Sequence, residues 1–204
     1  MLVTGVDEAG RGSLLGPLVI AAVSFERSQL SRLPGMGIRD SKRLSPKKRE
    51  ELWPKIIEMA EEHCIIRVQP RTIDKSVREH GLNRLEAKYM AKAIKRLGPN
   101  PSYVDSCDVN TERFGNEIAR LSKNDMVHSY HRADSRFAIV SAASILAKVA
   151  RDKSIARLRR TYDLGSGYPS DIKTVNFVRQ YLDENDTIPQ FVRASWKTVR
   201  RLMQ

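Results

Sequence analysis

Apolar positions along this chain fall into two rhythms. Residues 18–25, Leu18-Val19-Ile20-Ala21-Ala22-Val23-Ser24-Phe25, are almost unbroken apolar sequence, as expected of a strand covered on both faces. Residues 3–7 read as a shorter strand before it, and the join holds Gly10, Gly12, Gly16 and Pro17, which predicts a tight turn. Residues 31–45 read as a loop rich in Gly, Pro and Ser. Ser45-Pro46 is a cap followed by a proline, opening a helix that runs to about Met59. Residues 63–68 alternate weakly, as a third strand. From 82 to 97 the apolar positions are 82, 85, 89, 90, 93, 94 and 97, the stripe of an amphipathic helix. Residues 101–105 form a short strand that ends in an acid, built like the first. Asn110 caps a helix through 121, and 125–130 is a candidate fifth strand. A long helix at 137–158 carries Ser141-Ala142-Ala143-Ser144, small enough for close packing. Beyond Gly165-Ser166-Gly167-Tyr168-Pro169 lie two helical segments, near 171–182 and 195–203. Strands alternating with helices predict an α/β layered domain with a helical C-terminal extension.

Composition narrows the class. The chain has 204 residues, 41% hydrophobic and 29% charged, enough to bury a core and too apolar for disorder. No apolar run approaches a bilayer span, so no membrane partner, signal peptide or anchor is expected. Cys64 and Cys107 match neither a metal-ligand spacing nor a disulfide framework, which suits a reducing, cytoplasmic setting. The net charge of +12 favours a polyanionic partner, and a nucleic-acid backbone is the commonest one. Charge alone does not separate an RNA-binding structural protein from an enzyme.

The carboxylates do. Asp7 and Glu8 end the first strand, Asp105 ends a central strand, and Asp134 stands just before the long helix. In a sheet flanked by helices, ligand sites form beyond the carboxyl ends of the strands, so these acids can converge there. Plainer readings exist: Asp134 as a helix cap and Asp105 as a turn residue. Asp7-Glu8 is harder to explain that way, because an unpartnered charge after a buried strand is costly. Adjacent strand residues point to opposite faces, so Asp7 and Glu8 share a site only if the glycines after them allow a bend or bulge. Hard oxygen donors without paired Cys or His favour Mg²⁺ or Mn²⁺ over zinc. Two such ions can clamp a phosphodiester, one activating water and the other steadying the leaving oxygen. His128 and His131 are candidate bases near Asp134, although strand-end or surface positions suit them better. Gly10-Arg11-Gly12 is neither a dinucleotide fingerprint nor a Walker loop, since position 15 is Leu and a strand follows.

Six stretches occur in an order that resembles type 2 ribonuclease H (ribonuclease HII). They are Asp7-Glu8-Ala9-Gly10-Arg11-Gly12, Asp40-Ser41-Lys42-Arg43-Leu44-Ser45, Val104-Asp105-Ser106, Ala133-Asp134, the run from Val140 to Asp152, and Gly165-Ser166-Gly167-Tyr168-Pro169-Ser170-Asp171. Arg193-Ala194-Ser195-Trp196-Lys197-Thr198 resembles the archaeal and eukaryotic branch. The resemblance implies an RNase H-like fold, a mixed five-stranded sheet flanked by helices, with a catalytic domain over 1–164. A helical extension over 165–204 would carry the tyrosine loop. It implies endonucleolytic hydrolysis of RNA–DNA hybrids and of duplex DNA containing ribonucleotides, with roles in ribonucleotide and primer removal. Asp7, Glu8, Asp105 and Asp134 match the family's catalytic, metal-binding acids, holding two Mg²⁺ or Mn²⁺ ions. Gly10, Arg11 and Gly12 match the loop that senses the ribose 2′-OH, and Tyr168 the tyrosine at the RNA–DNA junction. Lys42 and Lys148 are candidate phosphate contacts. A monomer is expected. Some archaeal members end in a sliding-clamp-binding tail, whereas this chain stops at Arg201-Leu202-Met203-Gln204 without one, leaving clamp contact an open question. The competing readings are a non-catalytic binder of hybrids or RNA, and a related nuclease acting on DNA alone.

Overall fold

The computed structural model describes residues 1–39 and 41–204, so Asp40, first residue of the Asp40-Ser41-Lys42 stretch, lies outside the described residues. Strand β1 (Leu2–Ala9) and strand β2 (Leu18–Glu26) are followed by short 3-10 turns at 27–32, 34–36 and 41–43, where the sequence suggests an open loop. Helix α1 (Pro46–Met59) opens with the Ser45 hydroxyl accepting from the Lys48 amide. Next come β3 (Glu62–Val68), α2 (Pro70–Arg78), α3 (Leu82–Arg96), β4 (Ser102–Asp105), α4 (Thr111–Ser122), β5 (Val127–Tyr130), α5 (Ala133–Arg136), α6 (Ala138–Leu158), α7 (Ile172–Glu184) and α8 (Lys197–Leu202). Helix α2 escapes the periodicity reading because its buried residues, Pro70, Ile73 and Asp74, include an acid where an apolar residue is looked for. Among the described residues, no helix is long and apolar enough to cross a membrane.

The sheet is mixed, in the order β3-β2-β1-β4-β5. β1 is antiparallel to β2 and parallel to β4, and β4 is parallel to β5. All but the last residue of β2 are buried, which is why its sequence shows no alternation. No bulge of the kind the glycines permit interrupts the pairing after Asp7. β1 keeps regular pairing with β2 through Asp7↔Ala21, Glu8↔Ile20 and Ala9↔Val19.

The chain divides into two compact units, the first comprising residues 1–9, 19–66 and 83–149, the second 10–18, 67–82 and 150–204. The first contains most of the sheet and the N-terminal part of α6. Gly5 matters here: a Cβ on it would lie 2.3 Å from the Ile139 carbonyl oxygen, so glycine alone lets the α6 backbone lie against β1. The second is built on a cluster of Leu14, Leu15, Ile155, Leu164, Val178, Val192 and Val199, with Tyr162, Phe177 and Phe191 packed around it.

Candidate active site

All the acids singled out in the sequence belong to the first unit. Val6 pairs with Val104 in the parallel β1–β4 register, so Asp7 and Asp105 come next on neighbouring strands and point to the same face. Asp7 is 3% exposed, and one of its carboxylate oxygens accepts from the Glu8 amide at 2.7 Å. Asp105 accepts from the Ala133 amide at 2.7 Å and so ties β4 to the start of α5. Asp134 lies in the first turn of α5 and is 1% exposed, but it does not cap the helix, since Arg132 holds the cap position. Its carboxylate accepts instead from the Ser41 hydroxyl at 3.1 Å and the Lys42 ammonium at 3.2 Å. Glu8 takes the opposite face from Asp7, yet it does not turn to solvent. Its Oε2 is buried and has no hydrogen-bond partner.

Leaving buried carboxylates charged is costly, and the titration of Asp7, Glu8 and Asp105 reflects it. Burial pushes Asp7 up, opposed by the Lys148 ammonium and the Ser144 hydroxyl. Burial, then the charges of Asp7, Glu86 and Asp105, pushes Glu8 well above the usual carboxylate range. Asp105 is raised to about 6, first by burial and then by Asp7, against the Ala133 amide bond. Among the described residues, no three His, Cys, Asp or Glu side chains already stand in a ligating arrangement. A bridge of hydroxyls and one ammonium reaches Asp134 instead. Lys148 donates to Ser41 at 2.9 Å and to Ser144, and the two serine oxygens are 2.8 Å apart. The donor chemistry fits a hard divalent cation: oxygens only, an orphaned Glu8 oxygen, and mutual repulsion that a cation would relieve.

In the second unit, the glycine loop is held by two buried arginines. Arg193, fully buried, donates to the carbonyls of Gly16 at 3.1 Å and Arg11 at 2.9 Å, with its guanidinium carbon 5.0 Å from the Trp196 ring. Arg151, 5% exposed, donates to the Ser13 hydroxyl at 2.9 Å and lies 4.2 Å over the Tyr168 ring. The Leu14 amide donates to the Gly167 carbonyl at 2.7 Å, joining the loop to the Tyr168 turn. Gly10 has φ +84, and a Cβ there would lie 3.0 Å from the Pro17 carbonyl oxygen. Gly12 is exposed, and a Cβ there would meet nothing, so the protein's own packing does not demand glycine at that position.

The family model described as Ribonuclease HII matches residues 4–199. The chain belongs to the ribonuclease HII family. It is a ribonuclease H enzyme, on relatives of high identity along its whole length. Ribonuclease HII of Cenarchaeum symbiosum is 60% identical over 98% of this chain and 97% of that protein. The crystal structure of ribonuclease H2 from Pyrococcus horikoshii superposes with a TM-score of 0.92, at 40% identity, covering 100% of this chain and 97% of that one. The RNase HII in the PCNA:RNase HII complex from Archaeoglobus fulgidus gives 0.89 at 38% identity, covering 99% and 97%.

Against that family, the structure brings Lys42 and Lys148 in among the acids and keeps the histidines apart from them. His128 is exposed on β5 with its ring 5.4 Å from Tyr103, and His131 lies 3.2 Å from the Val109 carbonyl. Sequence reasoning passed over Ser41, Ser144, Glu86, Arg151 and Arg193. Two of these left a signal. Glu86, fully buried, sits inside the apolar stripe of α3, four residues from both Leu82 and Met90. Ser144 stands one helical turn before Lys148, the spacing at which side chains meet.

Proposed function

We propose that this ribonuclease HII hydrolyses the RNA strand of RNA–DNA hybrids and cuts duplex DNA on the 5′ side of an embedded ribonucleotide, leaving 3′-OH and 5′-phosphate ends. Asp7, Glu8, Asp105 and Asp134 would hold Mg²⁺ or Mn²⁺. Two such ions, when bound, supply an activated water and charge stabilisation for the leaving oxygen. The chain's own residues do the positioning. Asp105 and Asp7 present carboxylates side by side from neighbouring parallel strands, and Asp134 is oriented by Ser41 and Lys42. Lys42, with 59% of its side chain exposed, is able to reach a phosphate, while Lys148 adds a second positive charge deeper among the acids. Gly10-Arg11-Gly12 would read the ribose 2′-OH with its backbone, and Tyr168 would pack against the sugar at the junction. The open space at Gly12 supports this, because glycine there is explained by close approach of a ligand.

The observation that carries the proposal is the unrelieved charge at the ends of β1 and β4: carboxylates raised by burial and by one another, with a buried Glu8 oxygen left unsatisfied. A protein that only bound hybrids would repel the phosphates with such a cluster. The test is one duplex carrying a single ribonucleotide, incubated with Mg²⁺, Mn²⁺ or EDTA, with both product ends mapped. Cleavage that survives EDTA, or a 2′,3′-cyclic phosphate end, overturns the proposal. An all-DNA duplex cut at the same rate overturns the ribose-sensing part alone.

A further inference from the structure

We propose that Lys148 is the resident counter-ion of the metal-free centre, holding Asp134 through the Ser41 hydroxyl and standing against the charge of Asp7 until a divalent cation takes over. The inference rests on the metal-binding reading of the four acids. Its basis is a count of protons. A serine hydroxyl has one proton to give and lone pairs to accept with. Ser41 gives its proton to Asp134, at 3.1 Å, so the 2.8 Å bond between the two serine oxygens takes its proton from Ser144. Lys148 donates to both oxygens from the third side. Ser41 therefore accepts from an ammonium and donates to a carboxylate, so the positive charge reaches Asp134 at one remove.

The arrangement is built into the fold. Ser41 and Ser144 are both 0% exposed, so bulk water has no access to replace the relay. Ser144 and Lys148 lie one turn apart on α6, and Gly5 brings the backbone of that helix against β1, the strand that ends in Asp7. Lys42 differs: it bonds Asp134 directly, its side chain is mostly exposed, and solvent screens its charge. A divalent cation entering among the acids must do so against the Lys148 charge. The lysine therefore stabilises the empty centre and weakens the filled one. It is a positioning residue with a thermodynamic role, and it tunes how much metal the centre requires.

The test uses the full chain, stripped of metal, with Mn²⁺ as probe. Mn²⁺ binding is followed by electron paramagnetic resonance and thermal unfolding is measured with and without the ion. Lys148→Met should lower the metal-free Tm, regain wild-type Tm at saturating Mn²⁺, and bind Mn²⁺ about tenfold more tightly. Lys148→Arg, which keeps the charge, should stay near wild type in both measurements. Ser144→Ala removes one acceptor of the Lys148 ammonium without changing net charge, and should lower the metal-free Tm less than Lys148→Met. Unchanged or weaker Mn²⁺ binding by Lys148→Met overturns the inference, as does a metal-free Tm equal to wild type. A wild-type chain that binds no Mn²⁺ sinks the metal-site reading instead. The drop in metal-free Tm would then still report the lysine's role as counter-ion.

Discussion

Asp105 and Asp108 stand three residues apart after one strand, and burial has opposite outcomes for them. Asp108, 5% exposed, accepts from Arg113 through both oxygens at 2.7 and 2.8 Å, from Asn83 at 2.9 Å and from the Asn110 amide at 2.9 Å. These bonds, Arg113 foremost, hold its carboxyl at about 2. Asp105 has one amide bond and faces the charge of Asp7, and it is raised to about 6. Asp74, in the second unit, belongs with Asp108: it accepts from the Ala194 amide at 3.1 Å and the Ser195 amide at 3.0 Å, and from the Ser195 hydroxyl. A buried acid whose oxygens are all met by donors stabilises a fold. One that is left short and crowded by like charges costs stability, and is retained for a ligand that supplies the missing charge.

Removing a charge from each set should separate them most sharply. Asp105→Asn keeps an oxygen for the Ala133 amide and loses only the charge. It should cut hybrid cleavage on the order of a thousandfold, while the metal-free Tm at pH 8 stays level or rises. A clear fall in that Tm would place Asp105 with the structural acids. Asp108→Ala should do the reverse, losing roughly 2 to 3 kcal/mol in urea unfolding because several donors lose a charged acceptor, with kcat preserved well below the melting transition. Loss of kcat without loss of stability would break the distinction.

Titration gives a smaller and more specific signal. The folded Asp105 value of about 6 lies above the ordinary 3.8, so between them the metal-free folded chain holds more protons than the unfolded one. Its contribution is complete below about pH 4 and is lost as the pH rises through 6. For Asp108, at about 2, the order inverts: the contribution is present above about pH 4 and is lost as the pH falls toward 2. Urea unfolding of the metal-free protein across this range should show both slopes. Asp105→Asn should make the upper one shallower, the remainder being carried by Asp7 and Glu8, and Asp108→Ala should flatten the lower. An upper slope unchanged in Asp105→Asn would move its cause wholly to those other acids. The smallest effect is expected at Lys42, whose charge solvent already screens. Lys42→Met should raise KM for the hybrid less than about tenfold and lower the salt slope of binding by about one phosphate contact. An unchanged salt slope would remove Lys42 from the phosphate path.

Much of this was legible before any coordinates. The strands, the long helices and the alternation that defines an α/β protein follow from local periodicity, because each element must present an apolar face to a core. Asp7 and Glu8 stood out because paired acids ending a buried strand have no local reason to be there, and Asp105 and Asp134 because they too stand at element boundaries. Helix α2 did not, since its buried face includes Asp74, whose partners lie about 120 residues away. The glycines permit a bend at Glu8, but β1 stays regularly paired with β2 through Ala9, because that pairing is set by a strand the local pattern of β1 does not contain.

Sequence by itself determined most of the elements, the four acids, the glycine loop and the resemblance that named the family. All of these are stated by residue type and local order. The tertiary structure alone decided which acids are satisfied and which are strained. It alone showed that Lys148 donates to Ser41 and Ser144, that the charge of Glu86 bears on Glu8, and that Arg151 and Arg193 hold the glycine loop. Hydrogen bonds and buried charges depend on distances between residues far apart in the chain, and no local pattern encodes those distances.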